Sequence, residues 1–280
     1  MKNTKNFKNR QKQGQKPPHH GKNPNKNPAK NSNKVKIDMF GVHAVTQAWI
    51  NPQRHIHSLY ITNKALDQFD EALKLAHDRG LKRPSPEVIN KSVLDNSTPQ
   101  GSVHQGIGIN CQNLEEIDID DIIRAEEPKE RSVLIMLDQV TDPHNVGAII
   151  RSACAFGTAG MILQKKHAPE LKGVLAKTAC GGVEHLPVAY ETNLTRSIET
   201  LQKADYFAIG LAEEGEMELS ALSGHDKLVL VLGAEGDGLR RLVREQCDAL
   251  VALPTAGPIS SLNVSNAAAV ALFAAQSNRS

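Results

Sequence analysis

The chain has 280 residues, of which 40% are apolar and 23% charged, the balance of a soluble globular protein of about two domains rather than a fibrous one. No apolar run reaches the roughly 18 residues of a bilayer span, the longest being near Ala267–Ala275. The four cysteines (Cys111, Cys154, Cys180, Cys247) form no CxxC pair and follow no signal peptide, which argues against a zinc site or a disulfide framework and predicts a cytoplasmic setting.

The net charge of +2 conceals an asymmetry. Eleven of the 33 basic side chains and none of the 31 acids lie in residues 1–36, so this tail carries +11 and the remainder −9. Rich in Asn, Gln and Pro, the tail has too little apolar surface to offset its chain entropy and reads as disordered. It is either a nucleic-acid arm held by phosphate attraction or a solubilising extension.

From Ile37 onward, helix and strand signals alternate. Phe40–Ile50 predicts a helix, Ser58–Thr62 a strand, Leu66–His77 an amphipathic helix, Pro84–Leu94 a strand and helix, and Val103–Cys111 a closing strand. Residues 37–112 thus predict a small α/β domain. Residues 113–130 hold eight acids against Arg124 and Lys129 and predict a linker, although Ile117, Ile119, Ile122 and Ile123 could form a short packed helix.

Residues 131–280 predict a second α/β domain with buried strands at Val133–Leu137, Gly160–Leu163, Val188–Tyr190, Phe207–Leu211, Leu228–Leu232 and Leu250–Leu253. Strands apolar on both faces, separated by helices, indicate a parallel sheet covered on two sides, whose ligands bind at the strands' carboxyl ends. Three loops follow such ends. The first, Asp138–Gly147, places Asn145 to start a helix carrying Arg151 on its flank; the pair reads as a cap and a solvated arginine, or as a grip on phosphate or ribose. The second, Gly233–Leu239, suggests a backbone that approaches a ligand closely, but its GxxGxG order lacks dinucleotide or P-loop spacing, and Glu235 and Asp237 would repel phosphate. The third, Pro254–Ser265, opens an alanine-rich helix suited to a close interface, with Ser261, Asn263 and Ser265 as potential caps.

Together these loops are more specific than any one of them. N-x-G-x-x-x-R at Asn145–Arg151, G-x-E-G-x-G at Gly233–Gly238 and S-L-N-V-S at Ser261–Ser265 resemble the three signatures of the SpoU (TrmH) branch of the SPOUT RNA methyltransferases, over residues 40–276. Thr141–Asn145, Lys177–Gly182 and Arg240–Asp248 are similar to the subgroup that methylates a guanosine ribose in 23S rRNA. Gly41–His43 and His104–Gly106 resemble the ribosomal-protein-L30-like, RNA-binding domain that precedes the catalytic domain there.

The resemblance implies S-adenosylmethionine as methyl donor, no metal, a trefoil knot near the C-terminus, a homodimer with the active site between subunits, and large-subunit rRNA as substrate. By motif position it implies Gly233, Leu253 and Leu262 at the cofactor, and Asn145, Arg151, Glu235, Ser261 and Asn263 as the catalytic and structural set. Because guanidinium stays protonated, Arg151 is read as stabilising the developing alkoxide and holding the adjacent phosphate, with proton removal unassigned. His144 is a residue type suited to general-base work, yet the resemblance gives it no catalytic role, and the cysteines read as packed small residues. Since the body is acidic, RNA attraction falls to the first domain's basic residues and the tail. The remaining readings are methylation of a tRNA ribose and a non-catalytic rRNA-binding assembly factor; a dehydrogenase is excluded by the glycine spacing.

Overall fold

The computed structural model describes residues 34–258 and 261–277, so the reading of the basic tail lies outside the described residues except at its last three positions. The first sheet is built by β1 (Met39–Phe40), α1 (Val42–Ile50), β2 (Ile56–Ile61), α2 (Asn63–Asp78), β3 (Pro86–Val88), α3 (Lys91–Ser97) and β4 (Ile107–Cys111). Its order is β1-β4-β2-β3, with β4 antiparallel to both neighbours and β3 parallel to β2. The predicted helix at Phe40 starts two residues later, because Gly41 sits at φ 93° and separates β1 from α1. Likewise β4 begins at Ile107 rather than Val103. Gln105 and Gly106 turn the chain at φ 57° and 82°, and the buried His104 pins the turn by accepting from the Gly106 N–H at 3.0 Å. That acceptance leaves Nε2 as the protonated nitrogen, donating to Asp95 at 2.9 Å.

The acidic segment 113–130 is packed rather than free. Asp118 and Asp121 form a reciprocal cap on α4 (Ile119–Glu126), which turns Ile119 and Ile122 inward and Asp120 outward, while Glu126 is buried and paired with Lys129 at 2.6 Å.

The second sheet comprises β5 (Ser132–Asp138), β6 (Gly160–Gln164), β7 (Val188–Glu191), β8 (Phe207–Leu211), β9 (Lys227–Gly233) and β10 (Ala249–Val251), in the order β10-β8-β9-β5-β6-β7 with every neighbouring pair parallel. Between them run α5 (Pro143–Ala155), α6 (Gly173–Thr178), α7 (Leu194–Lys203) and α8 (Arg241–Gln246), and α9 (Val264–Gln276) follows β10. The period-two alternation of strands divides the core. Val133, Ile135 and Leu137 of β5, with Leu228, Leu230 and Leu232 of β9, join the cluster on the face of α5 and α9. Leu134, Met136, Val229 and Val231 join the one containing Ile122, Ile198 and Val243 on the opposite face. The first cluster continues into Met39, Trp49, Leu59 and Phe69, so one apolar core spans both sheets.

A buried ion pair ties the two sheets' elements together. Arg54, after α1, donates to Glu184 through Nη2 at 2.6 Å and Nε at 3.1 Å, and their side chains are 2% and 0% exposed. The remaining valences are filled: Arg54 Nη1 donates to the Gln112 carbonyl at 2.7 Å, and Asn51 Nδ2 donates to Glu184 Oε2 at 2.8 Å. Glu184 ends a short 3₁₀ turn, Gly182–Glu184, entered through Gly181 at φ 94°, where a Cβ would fall on Gln47 of α1. This turn explains why Lys177–Gly182 carries two glycines: Gly181 passes against α1, and Gly182 against Ile150 and Cys154 of α5. Glu184→Ala, which leaves Arg54 buried without its counter-charge, is expected to lower unfolding free energy by about 3–5 kcal/mol in urea titration. A loss under about 1 kcal/mol would show the pair to be dispensable.

Candidate active site

β5 and β9 lie side by side and end in register, Asp138 opposite Gly233, so the loops after them start from adjacent points. Asp138 is fully buried and accepts from the Arg240 backbone N–H at 2.9 Å and from Arg240 Nε at 2.7 Å. It thereby clamps the first loop to the end of the second. Sequence reading missed this pair, although an acid closing an otherwise apolar strand is a visible signal.

The first loop turns into α5 earlier than expected. Asp142, not Asn145, is the cap, accepting from the His144 N–H at 3.0 Å, and Pro143 occupies the first helical position, where its missing N–H costs nothing. Asn145 is therefore inside the first turn, with its side chain free for another partner. That partner is Asn263, whose Nδ2 donates to Asn145 Oδ1 at 3.0 Å and to Glu235 Oε1 at 2.5 Å. The Asn263 Oδ1 caps α9, accepting from Ser265 N at 2.9 Å and Ser265 Oγ at 2.5 Å, while Glu235 Oε1 also receives the Val264 N–H at 3.4 Å. One asparagine amide thus joins all three loops.

Beside this network lies a cleft of about 560 Å³, whose walls include Gly233, Glu235, Leu253, Ser261 and Leu262, with Leu211 from β8. Glu213, Glu214, Glu235 and Asp237 also border it, and its Arg244 is paired with Glu214, so the lining favours a cationic ligand. A larger cleft, about 760 Å³, lies away from these loops near Arg54, Glu116, Glu170 and Tyr190; burial pushes the Tyr190 hydroxyl up to about 12, away from acid–base work near neutrality. Convergence of the three loops selects the smaller cleft.

Of the expected residues, Asn145, Glu235 and Asn263 are hydrogen-bonded together, and Gly233, Leu253, Ser261 and Leu262 surround the cleft. Arg151 stands apart on α5, exposed, with no hydrogen bond or ion pair among the described residues. His144 is exposed and contributes its backbone N–H to the cap. Burial pushes the Cys154 thiol up and that of Cys247 up to about 12, which suits packed thiols rather than nucleophiles. Among the described residues no group of three or more His, Cys, Asp or Glu is placed to hold a metal ion.

The loop itself gives Gly233 a further reason to be glycine. A Cβ there would fall on the backbone of Gly238, because the second loop folds back through a Gly238 N–H to Ala234 carbonyl bond of 3.0 Å. Close approach of the loop to itself therefore demands the glycine. Gly233→Ala is expected to destabilise the fold by about 1–3 kcal/mol through this overlap. Gly236→Ala, with open space around it but φ 82°, is expected to cost only about 1 kcal/mol; equal midpoints in urea would contradict the distinction.

Residues 132–273 match the SpoU rRNA Methylase family, and residues 39–117 match the RNA 2′-O ribose methyltransferase substrate binding family. The 23S rRNA (guanosine-2′-O-)-methyltransferase RlmB of Vibrio parahaemolyticus is 37% identical over 245 residues, covering 86% of this chain and 96% of that protein. The RlmB of Escherichia coli is 36% identical, with 86% and 98% covered. Among solved structures, the SpoU methyltransferase AviRb of Streptomyces viridochromogenes in complex with AdoMet superposes with a TM-score of 0.70 at 23% identity, covering 86% of this chain and 89% of that one. Three signature loops meeting at one amide, and likeness along nearly the whole length of these relatives, lead to one conclusion: the chain belongs to the SpoU rRNA methylase family.

Proposed function

We infer that the protein transfers a methyl group from S-adenosylmethionine to the 2′-hydroxyl of a guanosine in 23S rRNA. The observation that carries this reading is the Asn145–Asn263–Glu235 junction at the cleft, in a chain similar over most of its length to 23S rRNA guanosine methyltransferases. The cleft fits the cofactor chemically. Its acids suit a sulfonium, Leu253 and Leu262 offer apolar walls, and Gly233 presents bare backbone. When bound, the cofactor supplies an electrophilic methyl group on cationic sulfur.

The chain's own contribution is alignment and charge. Asn263 fixes the third loop against the second, so that Ser261 and Leu262 hold their places at the cleft's edge. Arg151, unengaged among the described residues, meets the RNA: its guanidinium holds the phosphate beside the target ribose and stabilises negative charge as the hydroxyl loses its proton. Proton removal is left to no single residue. In-line displacement needs little beyond this, and the intact junction gives the non-catalytic assembly-factor reading no chemical reason for its geometry.

The exposure of Glu235, Ser261, Leu262 and Arg151 supports a site completed by a second copy of the chain, as does the apolar Phe273, 59% exposed on α9. We therefore assign a homodimer with the site between subunits; the family resemblance further supports a trefoil knot near the C-terminus, an L30-like RNA-binding unit at 37–112 ahead of a catalytic unit at 131–280, and a place in the cytoplasm. No helix among the described residues is long and apolar enough to cross a membrane.

The test is incubation with tritiated S-adenosylmethionine and unmodified 23S rRNA, followed by digestion to nucleosides. Label in 2′-O-methylguanosine is expected; label in tRNA alone would move the target, and none in either RNA would overturn the reading. Arg151→Lys, which keeps the charge and loses the planar fork, is expected to lower turnover about 10²-fold or more with little change in cofactor affinity. Near wild-type turnover would remove Arg151 from the chemistry.

A further inference from the structure

Two residues at the carboxyl ends of neighbouring strands hold a backbone conformation that side chains resist. Gln139, just after β5, has φ 59°, and His167, three residues after β6, has φ 70°. Left-handed backbone at residues other than glycine gathers where function requires it. Both residues border one narrow crevice, shared with Thr141 and Lys166, so the loop after β6 rests directly on the loop that leads to Asn145.

The same loop continues to the first sheet. Gly173 N–H donates to the Asp38 carbonyl at 2.7 Å, beside β1, and Lys172 approaches the Asp38 carboxylate at 3.5 Å. It therefore spans the distance between the catalytic loop and the residues that match the substrate-binding family.

Acids and bases both lie along this bridge, and they differ in whether they have partners. The acids bordering it are engaged: Asp142 caps α5, Asp38 accepts the Cys111 N–H at 3.0 Å between Lys36 and Lys172, and Glu170 lies 4.0 Å from Lys172. Lys166 and His167, by contrast, are exposed and make no side-chain hydrogen bond or ion pair among the described residues. At the same end of the bridge Lys36 approaches the Asp38 carboxylate at 3.8 Å.

We propose that Lys166 and His167 form a phosphate-binding step for the rRNA strand, carrying its backbone from the target ribose toward the substrate-binding unit. The proposal rests on the methyltransferase reading and adds a positioning surface to it. Lys166 supplies a point charge to one phosphate, and the turn at His167 keeps both side chains projected outward instead of folding back on the sheet.

The full-length protein is assayed for methyl transfer to a 23S rRNA fragment at several salt concentrations. For Lys166→Glu, KM for the RNA is expected to rise about tenfold and the slope of log affinity against log salt to fall by about one, the contribution of one phosphate contact. Turnover at saturating RNA and the dissociation constant for S-adenosylmethionine stay within about twofold, which a merely structural defect would not allow. His167→Asn tolerates the left-handed backbone and removes the ring; it is expected to raise KM by a smaller factor at an unchanged thermal midpoint. Lys203→Glu on the distant α7 is the control for general charge. A KM for Lys166→Glu within twofold of this control would overturn the proposal. Failure of the underlying reading is separable, since it appears as absence of methylated product from the wild-type protein.

Discussion

The three loops at the carboxyl end of the second sheet meet at one side-chain amide between two carbonyl-type oxygens. Asn263 Nδ2 donates to Glu235 Oε1 at 2.5 Å and to Asn145 Oδ1 at 3.0 Å, and its own oxygen caps the helix that follows. Remove the amide, and three loops, each attached to a different strand or helix, lose their common point. The bond to Glu235 is charge-assisted, the stronger kind, and an ionised carboxylate there also contributes to a cleft fitted to a cation. Cohesion of the site and electrostatics of its ligand thus share the same carboxylate.

The parallel sheet makes that meeting possible. Because β5 and β9 are adjacent and end in register, loops distant in sequence begin close together, and Asp138 locks them at the root by its buried pairing with Arg240. The alternation of β5 and β9 side chains fills both faces with aliphatic groups, so the strands present a rigid platform. Rigidity extends to the first sheet through the continuous apolar cluster and the Arg54–Glu184 pair. A buried pair of this kind costs desolvation, and its geometric precision is better understood as fixing one arrangement of the two sheets than as adding net stability.

The sequence displayed the parallel α/β sheet plainly, because strands apolar on both faces alternate with amphipathic helices; every predicted strand of the second sheet is present within a residue or two. Boundaries failed where a single residue's backbone decided them. Gly41 at φ 93° separated a strand from a helix that periodicity had merged, and Pro143 with Asp142 started α5 before Asn145. The site was legible as three motifs, and Asn145, Glu235 and Asn263 do meet. What could not be read was which atoms join them, since Asn263 looks locally like a helix cap and nothing in its neighbours points to Glu235, 28 residues away. Gly233, whose lack of a side chain suggested approach to a ligand, does line the cleft, and the sequence did not show that loop closure onto Gly238 requires the glycine as well.

The most direct measurement is a double-mutant cycle between Glu235 and Asn263, using Glu235→Ala, Asn263→Ala and the pair, read as the calorimetric free energy of S-adenosylmethionine binding. If the amide–carboxylate contact organises the cleft, the two substitutions couple by at least about 1 kcal/mol, each alone doing most of the damage of both. Additivity within about 0.3–0.5 kcal/mol would mean that the loops hold their positions independently, and would contradict the account.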